Sequence, residues 1–230
     1  MNITFLGQGG YLLEGNGCEI VIDPYLSDSV NRIAGRPRTL PIPIDPDSFS
    51  PNAVICTHEH VDHLDPDTVS QMSDDQLFIT TSNGKEILQK MGKTNVVSLS
   101  LNESFKIGGF TVTAVYAHHT CEAFGIIVRA EGLTLYFSGD TLFDEKLFEI
   151  KKYAPNATFI CINGRLGNMN VKEALTVAEE IGAKINVPKH YDMFASNSED
   201  PHLFADNISG GFIMEFNQKY ILTSTEITKG

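Results

Sequence analysis

Short runs of alternating apolar and polar residues follow one another along the chain, a pattern typical of β-strands with one buried face. The predicted strands of the first half are residues 3–6, 11–13, 18–22, 54–56 and 77–80. Residues 27–50 are rich in proline and predict a loop. Helices are predicted at 66–72, where Asp65 is a good N-cap, and at 85–91, before Gly92.

The second half repeats this order of elements without a convincing residue-level repeat. Its predicted strands are residues 105–107, 110–115, 124–128, 133–137, 159–162, 185–187, 212–216 and 220–223. The last two of these predict a terminal hairpin. Residues 171–181 place Ala174, Val177, Ala178 and Ile181 on one face of a helix that stops at Gly182. Hairpins followed by strand–helix units predict an α/β fold of two packed sheets with helices outside.

Composition narrows the class of protein further. The 230 residues, 42% of them hydrophobic, suffice for one large domain over residues 1–230 that folds without disulfides. A net charge of −12 argues against nucleic acid as a partner. No apolar run is long enough to span a membrane and no signal peptide is visible, so we expect a cytoplasmic protein. The four scattered cysteines are interpreted as buried thiols.

The strongest chemical signal is a histidine-rich segment that follows the predicted strand 54–56. Three histidines and a carboxylate, His58, His60, Asp62 and His63, fall within six residues there. Imidazole and carboxylate are the ligands that zinc and related ions prefer. A solvated polar loop is the alternative, but a complete HxHxDH between a strand and a helix favours a metal site.

Other chemistry-bearing residues also follow predicted strands. His118 and His119 come after residues 110–115, Asp140 after 133–137, and His190 after 185–187. Strand ends followed by loops are where α/β folds place their sites. Each of these residues alone would be interpreted as a surface or capping residue, whereas together they supply ligands for two ions.

In this combination of motifs the chain resembles the metallo-β-lactamase superfamily, and within it the L-ascorbate-6-phosphate lactonase-like (UlaG-like) branch. The stretches that carry the resemblance are residues 7–11, 21–29, 58–67 and 188–192. The resemblance implies a four-layer αβ/βα sandwich and two divalent ions, Zn or Mn. The implied ligands are His58, His60 and His119 for the first ion, Asp62, His63 and His190 for the second, and Asp140 as a bridge. His119 is preferred to His118 because the histidine of the family usually precedes Ser or Thr.

Two ions of this kind can lower the pKa of a shared water toward about 7. We therefore expect a hydrolase acting on a small, anionic ester, lactone or related molecule, with a sugar-phosphate lactone as one candidate, and with Asp62 orienting the nucleophile and moving its proton. The candidate substrate contacts are Tyr25, His118, Asn163, Arg165 and Lys189. Each also has a structural interpretation as packing, turn or solvated residue, and Asn170 is interpreted as a helix cap. The alternatives are a phosphodiesterase or nuclease of the same fold, and a metal-binding module without turnover. The oligomeric state cannot be read from the sequence.

Overall fold

The computed structural model describes residues 1–230, which form fourteen strands. In chain order the strands are β1 Asn2–Gly7, β2 Gly10–Gly15, β3 Cys18–Ile22, β4 Ala53–Ile55, β5 Phe78–Thr80, β6 Val96–Ser98, β7 Ser104–Ile107, β8 Phe110–Val115, β9 Gly125–Ala130, β10 Leu133–Phe137, β11 Ala157–Cys161, β12 Ile185–Lys189, β13 Lys219–Leu222 and β14 Ile227–Lys229. They build an eight-stranded sheet in the order β14-β13-β1-β2-β3-β4-β5-β6 and a six-stranded sheet in the order β12-β11-β10-β9-β8-β7.

Both sheets combine antiparallel hairpins with parallel strands. In the first sheet β3 to β6 run parallel, with Ile22 opposite Ile55, and in the second β10 to β12 run parallel, with Phe137 opposite Phe159. The antiparallel pairs β1–β2–β3 and β8–β9–β10 make β1 and β8 point in the same direction as these parallel strands. The carboxyl ends of β1, β3, β4 and of β8, β10, β11, β12 therefore come together at one rim of the molecule.

Five α-helices and two 3₁₀ helices connect the strands. The α-helices are α1 Ser29–Ala34, α2 Pro66–Gln71, α3 Ser82–Lys90, α4 Val171–Ile181 and α5 His202–Ala205, and the 3₁₀ helices are Pro46–Ser48 and Glu145–Tyr153. Side-chain caps begin several of them, because Asp65 accepts from Asp67 N at the start of α2 and Thr81 accepts from Gly84 N at the start of α3. No helix is both long enough and apolar enough to cross a membrane.

The main core lies between the two sheets, and a smaller core lies outside each of them. Tyr11 of the first sheet contacts Phe137 and Phe159 of the second, at ring-centroid distances of 5.2 and 5.0 Å. The second sheet packs on its other face against α4 through the four predicted apolar positions, all of which are buried. The first sheet packs against α2 and α3 through residues such as Val69 and Leu88. This helix–sheet–sheet–helix layering confirms the predicted four-layer sandwich.

Two sequence predictions about local structure are wrong. The predicted loop 27–50 contains α1 and a short 3₁₀ helix. Residues 212–216 form no strand; instead β13 pairs with β1 and with β14, which completes the terminal hairpin. The apolar side chains of 212–216 do reach the core, but the backbone makes only isolated bridges to the rest of the fold, and it turns at Asn217, where φ is +57°. A run of apolar residues therefore indicates burial, but it does not by itself indicate that the backbone pairs with a neighbouring strand.

Candidate metal centre

The seven predicted metal ligands meet at the rim where the parallel strands end. The loop between β4 and α2 carries His58, His60, Asp62 and His63, and the turn between β8 and β9 carries His119. Asp140 and His190 follow β10 and β12 directly. His58, His63, Asp140 and His190 are buried, and the other three are half-buried or border a cavity. The parallel strands thus bring together residues that are far apart in the sequence.

One half of the cluster, here called the imidazole–thiol group, contains His58, His60, His119 and Cys121. His60 Nδ1 lies 3.1 Å from His58 Nε2 and 3.1 Å from His119 Nε2. The ligand atoms of all four residues, including the Cys121 thiol, lie within 4.8 Å of one another. The thiol was not predicted here, since the sequence analysis placed no sulfur near the histidines.

The other half, here called the carboxylate group, contains Asp62, His63, Asp140 and His190. His63 Nε2 lies 3.1 Å from His190 Nε2 and 3.7 Å from Asp62 Oδ2. Asp140 Oδ1 lies 2.9 Å from His190 Nε2 and 3.3 Å from His63 Nε2. Asp140 also lies within 4.8 Å of His58, so it stands between the two groups.

Hydrogen bonds on the outer side of the imidazoles fix their orientation. His63 Nδ1 donates to Asp23 Oδ2 at 2.8 Å, and His119 Nδ1 donates to Gly167 O at 3.0 Å. The Thr57 hydroxyl donates to Asp23 Oδ2 at 2.8 Å, so it accepts from His58 Nδ1, 3.1 Å away. Each of these imidazoles therefore turns a nitrogen lone pair toward the cluster when it is neutral. Carboxylate and carbonyl partners of this kind are the usual support of metal-ligating histidines.

Burial and neighbouring charges shift the pKa values of the two groups differently. Burial lowers the pKa of His119, and burial together with the neighbouring His63 lowers the pKa of His58 well below its ordinary value. Burial also lowers the pKa of His63, but the carboxylates of Asp140, Asp23 and Asp62 outweigh it and raise that pKa well above its ordinary value. In the absence of an ion His63 is thus a charged imidazolium at neutral pH, whereas His58 and His119 are neutral imidazoles that each keep one ring proton.

The pKa values of the carboxylates and of the thiol shift in opposite directions. Burial raises the pKa of Asp140, but His190 and His63 outweigh it and hold that pKa well below its ordinary value. The pKa of Asp62 is lowered for similar reasons, against the effect of burial. Burial, together with the carboxylates of Glu59 and Asp140, raises the pKa of the Cys121 thiol to about 12.

The residues present fit divalent metal ions. The imidazole nitrogens of His58 and His119 each lie 3.1 Å from His60 Nδ1, an arrangement that a cation between them would stabilise. Asp140 Oδ1 is buried and makes no hydrogen bond of good geometry, which leaves its lone pairs free for an ion. Imidazole and carboxylate ligands suit Zn, Mn or Fe. The centre is therefore a candidate His/Asp metal site.

The backbone around the centre is held in an unusual conformation. Gln8, Asp23 and His190 have φ values of +53°, +43° and +68°, a region that residues other than glycine seldom occupy. Gln8 Nε2 donates to Asp62 Oδ2 at 2.7 Å and lies 3.0 Å from His190 Nδ1. A Cβ at Gly9 would lie only 2.9 Å from His63 Cε1, so position 9 must lack a side chain for the loop to approach the imidazole. Strain of this kind persists where the surrounding structure holds functional groups in place.

A cavity of about 410 Å³ opens beside the centre. His60, Asp62, Asp140 and His190 border it from the metal side. The rest of the lining is polar amide or apolar and is contributed by Val30, Val61, Thr120, Leu166, Gly167, Asn168 and Asn197. The lining contains no Lys or Arg, so metal ions would be its source of positive charge.

The predicted substrate contacts lie mostly away from this cavity. His118 is half-exposed and faces Asp144, with Nδ1 3.7 Å from Asp144 Oδ2. Arg165 donates to the carbonyls of Asn163 and Ser198. Lys189 is 1% exposed and lies 3.6 Å from Asp140 Oδ1, so it is not the solvated lysine of the alternative interpretation.

Tyr25 and Asn163 have structural surroundings. Tyr25 is buried, and its hydroxyl accepts from Val30 N. The Asn163 amide donates to Asn197 Oδ1 at 2.8 Å, and Asn197 in turn borders the cavity. Asn170 caps α4 in a reciprocal capping box with Glu173, as its structural interpretation predicted.

Several residues of the centre were not predicted from the sequence as part of the site. They are Gln8, Asp23, Thr57, Cys121 and Asn168, of which Asn168 donates to Asp140 Oδ2 at 2.8 Å. Asp23 could have been found, because it follows β3, the parallel neighbour of the strand before His58. Cys121 gave no such signal, since the turn that carries it comes close to His58 only through the bridge between Ala123 and His58.

Comparison with known proteins agrees with this geometry. Residues 19–191 match the family described as Beta-lactamase superfamily domain. A UPF0173 metal-dependent hydrolase of Bacillus pumilus is 30% identical, with 92% of this chain and 94% of that protein covered. A UPF0173 metal-dependent hydrolase of Methanopyrus kandleri is 28% identical, with 89% of this chain and 90% of that protein covered. The chain is also similar in fold to an isothiocyanate hydrolase from Delia radicum gut bacteria, with a TM-score of 0.81, 18% identity, and 96% of this chain and 99% of that chain covered.

The matched family covers most of the chain, and the relatives are matched over nearly their whole length. The chain therefore belongs to the metallo-β-lactamase superfamily, and within it to the UPF0173 metal-dependent hydrolases.

Proposed function

We propose that the protein uses two divalent ions to hydrolyse a small, uncharged ester or lactone, or a related acyl compound. The observation that carries the proposal is the convergence of the two ligand groups at the border of the 410 Å³ cavity. Bound ions of this kind supply Lewis acidity and an activated water, which are the two needs of acyl hydrolysis. A lactone is the first candidate because the sequence resembles the lactonase-like branch.

The side chains of this protein would orient the reaction. Asp62 borders the cavity, and its lowered pKa keeps it ionised at neutral pH. It can therefore accept a hydrogen bond from the attacking water, while Gln8 holds its Oδ2 in position at 2.7 Å. For a lactone, the water oxygen adds to the acyl carbon and its proton passes to Asp62. The ring C–O bond then breaks, and the leaving oxygen takes the proton.

The lining of the cavity bears on the class of substrate. Because it contains no Lys or Arg, the protein offers no side-chain cation to a phosphate or carboxylate. Asn168 and Asn197 offer amides instead, and Val30, Val61 and Leu166 offer apolar contacts at its other walls. These features favour a neutral substrate with an apolar part over the anionic substrate expected from the sequence.

Metal content and a matched substrate panel test the proposal. Purified protein should bind about two ions per chain, and removal by a chelator should abolish hydrolysis that re-addition of Zn or Mn restores. The panel pairs an uncharged lactone with its phosphorylated form and adds an ester, an isothiocyanate and a phosphodiester. Faster turnover of the uncharged lactone is expected. Turnover of the phosphodiester alone would move the protein to the phosphodiesterase alternative, and metal binding without any turnover would favour a binding module.

A further inference from the structure

Cys121 stands apart from the other three cysteines. Cys18, Cys56 and Cys161 are at most 6% exposed and lie in strands or beside them within the core. Cys121 is half-buried, in the turn between β8 and β9 that also supplies His119. The bridge between Ala123 and His58, together with the bond from Phe124 N to Thr57 O, holds this turn against the histidine motif.

The position of the thiol is that of a fourth ligand. Its sulfur lies within 4.8 Å of the ligand nitrogens of His58, His60 and His119, which are themselves mutually close. A tetrahedral site with bonds of about 2.0–2.3 Å separates its ligand atoms by about 3.3–3.8 Å, so small side-chain adjustments would complete it. Asp140, by contrast, groups with His58 and His63 and not with His60 or His119.

We propose that Cys121 ligates the ion held by His58, His60 and His119, and that this ion has a His₃Cys environment. On binding, the sulfur–hydrogen bond is exchanged for a sulfur–metal bond and the proton leaves to solvent. Glu59 adjoins the thiol, and its Oε2 is buried without a hydrogen-bond partner of good geometry, so a cation beside the sulfur would also face this oxygen.

A consequence follows for the choice of metal. A thiolate selects softer ions, so the imidazole–thiol group should prefer Zn to Mn, whereas the carboxylate group has only nitrogen and oxygen ligands. The inference rests on the proposed function only in requiring that the centre binds metal.

Cobalt substitution tests the proposal directly. The cobalt-loaded wild-type protein should show a near-ultraviolet thiolate-to-cobalt charge-transfer band in addition to the visible bands of bound cobalt. Cys121→Ala and Cys121→Ser should lose the ultraviolet band and keep visible bands. The matched control Cys18→Ala, which removes a core thiol that contacts Ile107 O, should keep both.

Alkylation of the wild-type protein provides a test without any variant. A groove of about 510 Å³ on the side of His119 and Phe124 reaches Cys121. At about pH 9, where more of this high-pKa thiol is ionised, iodoacetamide should slowly modify Cys121 in the metal-free protein, and bound zinc should protect it from modification. Visible cobalt bands without the ultraviolet band, or equal alkylation with and without zinc, would overturn the assignment of Cys121 alone. Absence of any bound metal would overturn it together with the proposed function.

Discussion

The two halves of the metal cluster lie side by side but differ in charge. In the imidazole–thiol group, burial lowers the pKa of His58 and His119 and keeps Cys121 protonated, so these three residues carry no charge in the absence of metal. The carboxylate group contains ionised Asp62 and Asp140 and a protonated His63. The comparison shows that one rim of the fold can hold two ligand groups of different chemistry, one of nitrogen and sulfur atoms and one of nitrogen and oxygen atoms.

The supports of the two groups are nevertheless shared. Asp23 holds His63 directly and holds His58 through the Thr57 hydroxyl. The segment 163–170 likewise reaches both, since Gly167 O accepts from His119 and Asn168 donates to Asp140. Substitution of a ligand should therefore weaken metal binding at one group, whereas substitution of a shared support should weaken metal binding at both.

The largest effect is expected from the adjacent histidines 118 and 119. His119→Ala removes a ligand of the imidazole–thiol group and should lower kcat/KM at least about a thousandfold, since losing metal assistance removes several kcal/mol of transition-state stabilisation. His118→Ala removes a half-exposed imidazole that faces Asp144 and should leave metal content unchanged. Elemental analysis and steady-state kinetics on both variants give the answer. Metal loss in the His118 variant alone would reverse the assignment.

A smaller effect, but one on both groups, is expected from Asp23→Asn. The amide cannot accept from His63, Thr57 N and the Thr57 hydroxyl as the carboxylate does, so the imidazoles of His58 and His63 lose their fixed orientation. Loss of such an outer partner typically costs about 10–100-fold in metal affinity. Competition with a chelating dye measures it.

Asp45→Asn is the matched control for that measurement, because Asp45 caps an exposed 3₁₀ helix. If Asp23→Asn weakened metal binding at only one group, the Asp23 carboxylate would contribute to metal affinity at that group alone.

The dependence of metal affinity on pH separates the groups again. The pKa of His63 is raised, so below that pKa an ion must displace its proton, and affinity at the carboxylate group should fall about tenfold per pH unit. The pKa values of His58 and His119 are lowered, so these ligands are already neutral near pH 7. In Cys121→Ala, which has no thiol proton to displace, metal affinity at the imidazole–thiol group should therefore fall less steeply with decreasing pH than affinity at the carboxylate group. Cobalt titrations at several pH values follow both groups, and parallel slopes would contradict the charge difference.

The sequence predicted the fold, and it predicted the seven candidate ligands that the structure brings together, because both predictions depend on local patterns. Alternation and helix caps gave most strands and helices, and HxHxDH with histidine and aspartate after strands marked the centre. Cys121 and Asp23 were missed for different reasons. The role of Cys121 depends on pairing between distant segments, such as the bridge from His58 to Ala123. Asp23 follows the predicted strand 18–22, so the signal that marked Asp140 and His190 was present there but was not used.

The substrate contacts could not be predicted for a related reason. Arg165 and Lys189 carry charges that suit an anion, but the fold satisfies them internally, with backbone carbonyls in one case and Asp140 in the other. A cation near a motif is therefore a weak indication of a binding role until its partners are known. The cap at Asn170 was predictable, because an Asn three residues before Glu at the start of an apolar helix is a local signature.

The smallest effect is expected from Asn170→Ala, which tests whether segment 163–170 must be anchored for both groups to bind. The variant loses the side-chain bond to Glu173 N at the start of α4, so the free energy of unfolding should fall by about 1 kcal/mol. The main-chain bonds from Gly164 N to Met169 O and from Met169 N to Thr141 O remain, so Gly167 and Asn168 should stay in place. Urea unfolding of the metal-free protein measures the stability, and cobalt spectra measure the two groups. Asn168→Ala is the matched comparison, because it leaves the cap intact and removes the bond to Asp140; it should weaken the carboxylate group alone. If Asn170→Ala instead weakened metal binding at the imidazole–thiol group, the position of His119 would depend on the cap. The two groups would then differ in the residues that hold them in place as well as in their charge.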